Sequence, residues 1–182
     1  MTTVIDSDFK RRDTEALMEY VEHEEENLRD RTGQEMDASD RQHLLDRSEE
    51  HGMSRHLIIS PENAEQLDNA GIGRATRQTI RETIGSREGV DWGYAVHRDG
   101  GDRPHAHVVA TGRADQPGDP LWIDRDDLDQ IRDHAHEHSI EQEQGVEHAL
   151  DEALDESLTQ EQDQGLEQDP GQQQGRGQGQ SR

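Results

Sequence analysis

Cysteine is absent from this chain. There can be no disulfide framework, no thiolate zinc site and no cysteine nucleophile, so any bound metal must rest on histidine or carboxylate. Lysine is nearly absent too: Lys10 is the only one, and almost every cation is arginine. Aromatic residues make up 3% and hydrophobic residues 27% of the 182 positions, low for a globular chain, so part of it is expected not to fold. No apolar run approaches the roughly 20 residues needed to cross a bilayer, and the N-terminus lacks the apolar core of a signal peptide. A cytoplasmic location is the expectation.

What the chain has in excess is negative charge, 43 acidic against 19 basic residues for a formal net charge of -24. Such a balance is typical of disordered chains, yet the middle third carries well-formed apolar segments. Adaptation to high salt reconciles the two, because near 1 M ionic strength self-repulsion is screened within about 3 Å.

The apolar positions Ala16, Leu17, Tyr20, Val21 and Leu28 recur at helical spacing from Asp13 to about Asp30, with Thr14 able to cap. A second helix is expected over Ala38 to Glu50, then a short buried strand at His56-Leu57-Ile58-Ile59. Ser60, Pro61 and Glu62 have the chemistry of a helix start, as cap, first-turn proline and dipole partner, for a helix ending near Gly85. Asp91 to His97 and His105 to Thr111 read as an antiparallel hairpin across a turn-rich connection, and Asp124 opens a helix towards His138. The expected order is α, α, β, α, β, β, α. The expected fold is α+β: an antiparallel sheet with helices on one face and histidines on the other. Residues 139–162, with Val146, Leu150, Leu154 and Leu158 at spacing four, read as an acidic linker or marginal helix. Residues 163–182, rich in Gln and Gly, read as a disordered tail.

His105-Ala106-His107 puts two imidazoles on one face of a strand, because side chains alternate with period two. If the hairpin pairs His97 with His105, Ala95 faces His107 and three imidazoles converge. The same register sends Trp92, Tyr94, Val96, Ala106, Val108 and Ala110 to the opposite face and leaves small residues beside the histidines. A lone His-x-His pair is as readily a polar hairpin face as a ligand pair. The third histidine favours a metal site with open coordination positions. A slip of one residue would turn His97 away. Among other histidines, the run His134-Ala135-His136-Glu137-His138, with positions 134 and 138 on one helical face, reads as a solvated face before a metal box, His56 as a strand-end structural residue before a contact to DNA or metal, and His23, His43 and His51 as surface.

These segments together resemble a known family. Leu57-Ile58-Ile59-Ser60-Pro61-Glu62, then Trp92, His97 followed by Asp99, and Pro104-His105-Ala106-His107-Val108-Val109 resemble the plasmid mobilisation relaxases, in the branch that includes the T-DNA border endonuclease. The resemblance spans roughly residues 14 to 138, so residues 1–138 are expected to form a relaxase-like nuclease domain. It implies a site binding Mg²⁺ or Mn²⁺ on His97, His105 and His107, and a tyrosine that nicks one DNA strand to leave a 5′-phosphotyrosine. Tyr20 matches the family's upstream nucleophile, although its place on an apolar stripe would by itself make it a core residue. Asp99 matches a family aspartate and would orient an imidazole, or serve only as a turn residue. Gly100 departs from the hydroxyl residue common there, and no large helicase, primase or secretion domain is expected within these 182 residues.

The implied partners are single-stranded DNA at an origin of transfer or replication and accessory mobilisation proteins. Arg74, Arg77 and Arg81 form one helical stripe and, with Lys10, Arg11 and Arg12, are the candidate phosphate contacts. The same chemistry would serve a rolling-circle replication initiator, and a catalytically inactive metal- or DNA-binding regulator is the reading from another class.

Overall fold

The computed structural model describes residues 2–10, 13–22, 27–98, 103–112 and 121–166. Four strands, β1 (Val4–Lys10), β2 (Ser54–Ser60), β3 (Asp91–His97) and β4 (His105–Thr111), form one antiparallel sheet in the order β1-β2-β4-β3. The helices are α1 (Thr14–Val21), α2 (Ala38–His51), α3 (Asn69–Glu82) and α4 (Arg125–Leu166). The chain divides after Gly145 into a unit that holds the sheet and a second unit, Val146–Arg182, whose described part is helical to Leu166. Beyond Leu166 the expected tail lies outside the described residues.

The α+β expectation holds, and the hairpin is as its alternation predicts. β3 and β4 have the expected bounds, and His97 pairs with His105 while Ala95 pairs with His107. Parity then sorts the side chains. Trp92, Tyr94, Val96, Ala106, Val108 and Ala110 join Leu57 and Ile59 in the main core, beneath Ile72 and Ile80 of α3 and Ile131 and Ala135 of α4. On the histidine face, Ala95 and Val109 meet Leu17, Met18 and Val21 of α1 and Leu44 of α2, so a second, smaller core roofs part of that face. Small residues make this close approach possible. A Cβ on Gly93 would lie 2.7 Å from Met36 Cε and 3.1 Å from the Arg29 carbonyl oxygen.

Three expectations need correction. The first element is a strand, β1, hidden in the sequence because its two aspartates are poor strand formers; pairing along β2, from Val4 with Ser60 to Lys10 with Ser54, overrides that preference. α1 stops at Val21 rather than Asp30. Arg29 instead exchanges backbone hydrogen bonds with Tyr94, at 2.7 and 2.9 Å, covering the outer edge of β3 that a longer helix would leave open. The third helix does not begin at Ser60. That residue ends β2 and its hydroxyl donates to the Pro104 carbonyl at 3.0 Å, while Asp68 caps α3 by accepting from Gly71 N at 2.6 Å. Asp124 does open α4, in a reciprocal cap with Asp127 at 2.9 and 3.1 Å.

Leu57 is fully buried in the main core, whereas Tyr20 is 61% exposed. Denaturant unfolding should therefore show Leu57→Ala destabilising by about 2–5 kcal/mol and Tyr20→Phe by no more than about 0.5 kcal/mol; a large loss for Tyr20→Phe would contradict its exposed placement.

Candidate metal centre

The hairpin register brings His97, His105 and His107 together, with one ligand nitrogen from each lying within 4.8 Å of the others. His97 and His107 are buried and His105 is half-buried. These histidines could hold a metal ion, and the hydrogen bonds around them test how well they fit one.

Each ring is oriented from behind. His105 Nδ1 donates to the Arg103 carbonyl at 2.9 Å, which leaves its lone pair on Nε2. His97 Nε2 donates to the Val21 carbonyl at 2.6 Å, which puts its lone pair on Nδ1. His107 Nδ1 lies 2.8 Å from His56 Nε2, and His107 Nε2 lies 3.0 Å from His105 Nε2. Without an ion, the chain is satisfied if His56 donates to His107 and His107 donates to His105. With His107 Nδ1 donating to His56 instead, two bare nitrogens face one another, a repulsive arrangement that a cation between them relieves. Two nitrogens bound at about 2.1 Å and at right angles would sit about 3.0 Å apart, as these two do. The donor set fits, and a shift of tautomer along His56 and His107 converts one arrangement into the other.

His56 was the residue that sequence reasoning undervalued. It pairs with Val109 in β2–β4 while Ile58 pairs with His107, so His56 is the diagonal neighbour of His107 on the same sheet face. The missing signal was β2's position beside β4, which its sequence does not carry. Burial, reinforced by the neighbouring His97, His105 and His56, holds His107 down at about 3, well below an ordinary imidazole. It therefore stays neutral, as a metal ligand must.

Tyr20 belongs to the same assembly. The Val21 carbonyl that receives the His97 proton is one of the carbonyls left open at the end of α1, so one hydrogen bond docks the helix end on the cluster. Tyr20, one residue earlier, stands edge-on to His107 with ring centroids 5.7 Å apart and to His56 at 6.3 Å. A cavity of about 410 Å³ opens beside it, lined by Asp13, Ala16, Leu17, Tyr20 and His56.

No family model, curated protein or solved structure matches this chain.

The arginine stripe lies elsewhere. Arg74, Arg77 and Arg81 line a groove of about 630 Å³ with Arg31, on α3, which packs against the sheet face opposite the histidines. Arg77 donates to the Tyr94 hydroxyl at 2.7 Å and Arg74 to Gln142 at 2.6 Å. Tyr94 is thereby fixed in the core, away from the histidines. Asp99, Arg11 and Arg12 lie outside the described residues, as does His23, and no side-chain description extends to Lys10. Among the described residues, no helix is long and apolar enough to cross a membrane.

Two outcomes follow. His56→Ala should weaken Mn²⁺ binding about 10–100-fold by removing the partner that sets the His107 tautomer, as read by electron paramagnetic resonance titration; unchanged affinity would remove His56 from the site. Because His107 is depressed in the folded state, the unfolded chain takes up the extra proton as pH falls. The metal-free protein should keep this stability above about pH 6.5 and lose it progressively towards pH 3, by about 2 kcal/mol between pH 6.5 and pH 5. Urea unfolding of wild type and His107→Gln across this range isolates the contribution.

Proposed function

We propose that this protein is a metal-dependent single-strand DNA endonuclease of the relaxase kind, with Tyr20 as nucleophile and Mg²⁺ or Mn²⁺ held by His97, His105 and His107. The observation that carries the reading is an exposed tyrosine standing edge-on to His107 in a largely buried imidazole cluster that could hold a metal ion. Three imidazoles favour Mn²⁺ over Mg²⁺, whose preference is for oxygen.

When bound, a divalent ion supplies Lewis-acid polarisation of the phosphate and a positive charge that favours the phenolate. The chain supplies the rest. Tyr20 releases its phenolic proton to solvent and attacks phosphorus through its phenolic oxygen. The bond from phosphorus to the 3′ oxygen breaks, and that oxygen leaves with the electron pair and takes a proton. A 5′-phosphotyrosine and a free 3′-hydroxyl remain, and the reverse attack reseals the strand. Ala16, Leu17 and the Tyr20 ring offer the cavity an apolar wall on which a base can stack. Stacking and metal coordination matter more here than usual, because counterion release contributes little for so acidic a chain at high salt. In this reading the protein acts at an origin of transfer or replication.

The test is a denaturing gel of the protein with single-stranded DNA from its own replicon, in molar KCl with Mn²⁺ or with EDTA. A covalent adduct is expected from wild type with metal. It should vanish with EDTA and in Tyr20→Phe, and fall at least about 100-fold in His105→Ala. An adduct that survives in Tyr20→Phe moves the nucleophile elsewhere, and no adduct with any strand of the replicon sinks the nuclease reading.

A further inference from the structure

A second cluster lies between α3 and α4, away from the hairpin. His134 and His138, one helical turn apart on α4, face Glu82 at the end of α3. Glu82 Oε2 lies 2.9 Å from His138 Nε2 and 3.4 Å from His134 Nδ1. One ligand atom from each residue lies within 4.8 Å of the other two. The imidazoles are near-parallel, with centroids 5.8 Å apart and planes 20° apart. We propose that Glu82, His134 and His138 form a second metal site, for a divalent transition ion such as Zn²⁺, which clips α3 to α4.

Three observations point to an ion rather than to a set of ion pairs. First, His134 Nδ1 is buried from solvent without a hydrogen-bond partner. Its approach to Glu82 misses hydrogen-bond geometry while keeping the spacing of two ligands on one ion. Such an orphaned nitrogen costs stability that a metal bond would offset. Second, His138 Nδ1 lies 3.0 Å from Glu141 Oε2. This is the carboxylate-imidazole arrangement that fixes a ligating ring and strengthens its donor nitrogen. Third, the donor set of two imidazoles and one carboxylate selects zinc-like ions over Mg²⁺ and Ca²⁺, which take oxygen ligands. High concentrations of the latter would therefore not displace it.

The neighbouring His136 takes no part, since its ring faces Glu62 at 3.9 Å from the other side of α4. His138 is buried while Glu82 and His134 are partly exposed, so an ion can enter from solvent and a fourth ligand can be water.

The full-length protein, its variants and Zn²⁺ in equilibrium dialysis give the test. Wild type should bind two ions per chain, His134→Ala one, His105→Ala one, and the double variant none. Glu141→Gln should weaken the second site about 10-fold. His134→Ala sits on a half-exposed helix position, and its circular dichroism in zinc-free buffer should match wild type, so lost binding reads as a lost ligand. Two ions still bound by His134→Ala, or one ion in wild type that only His105→Ala removes, would overturn the proposal. One ion lost with His134→Ala and kept with His105→Ala would support this site while removing the hairpin site. The two readings therefore fail separately.

Discussion

The antiparallel pairing of β3 with β4 is the constraint on which the rest depends. Opposing His97 to His105 and Ala95 to His107 puts Trp92, Tyr94, Val96 and Val108 on one face and every imidazole of the hairpin on the other. A slip of one residue would turn one strand over against the other, sending His97 to the main core and Trp92 and Tyr94 out of it, or doing the same with His105 and His107 against Val108. The apolar gain of the correct register is thus also what assembles the site. The site's precision comes at little extra cost, because the strands are already fixed by packing.

Burying imidazoles would be costly if their nitrogens lacked partners. The structure answers with a relay in which the Arg103 carbonyl, His105, His107 and His56 are joined end to end, and the open carbonyl of Val21 receives His97. Each contact does two jobs, satisfying a buried polar atom and aiming a lone pair. The Val21 contact adds a third, for it holds the end of α1, and with it Tyr20, against the cluster.

Several of the scarce cations are spent inside the fold: Arg55 donates to the Leu121 carbonyl at 3.0 Å, Arg47 pairs with Asp91 at 3.0 Å, Arg87 joins Asp127, and Arg77 holds the Tyr94 hydroxyl. Arginine suits this use because its planar fork makes several directed bonds at once. Among the described residues most carboxylates are exposed, where dissolved ions can screen them from one another.

How much was legible in the sequence follows from the range of each interaction. Alternation over seven residues and a turn-rich connection sufficed for the bounds of β3 and β4, their register and the three converging histidines, because strand parity is local. Glu82, at the end of α3 and over fifty residues from His134, has no local mark; neither has His56, whose meeting with His107 depends on β2 lying beside β4. β1 was hidden for the same reason, its aspartates outweighed only by a partner strand about fifty residues away. By itself the sequence determined the alternation that divides apolar from imidazole faces, a consequence of backbone geometry. The tertiary structure alone decided which strand, helix end and carboxylate close around those faces, because such neighbours are chosen by burial and hydrogen-bond satisfaction across the whole chain.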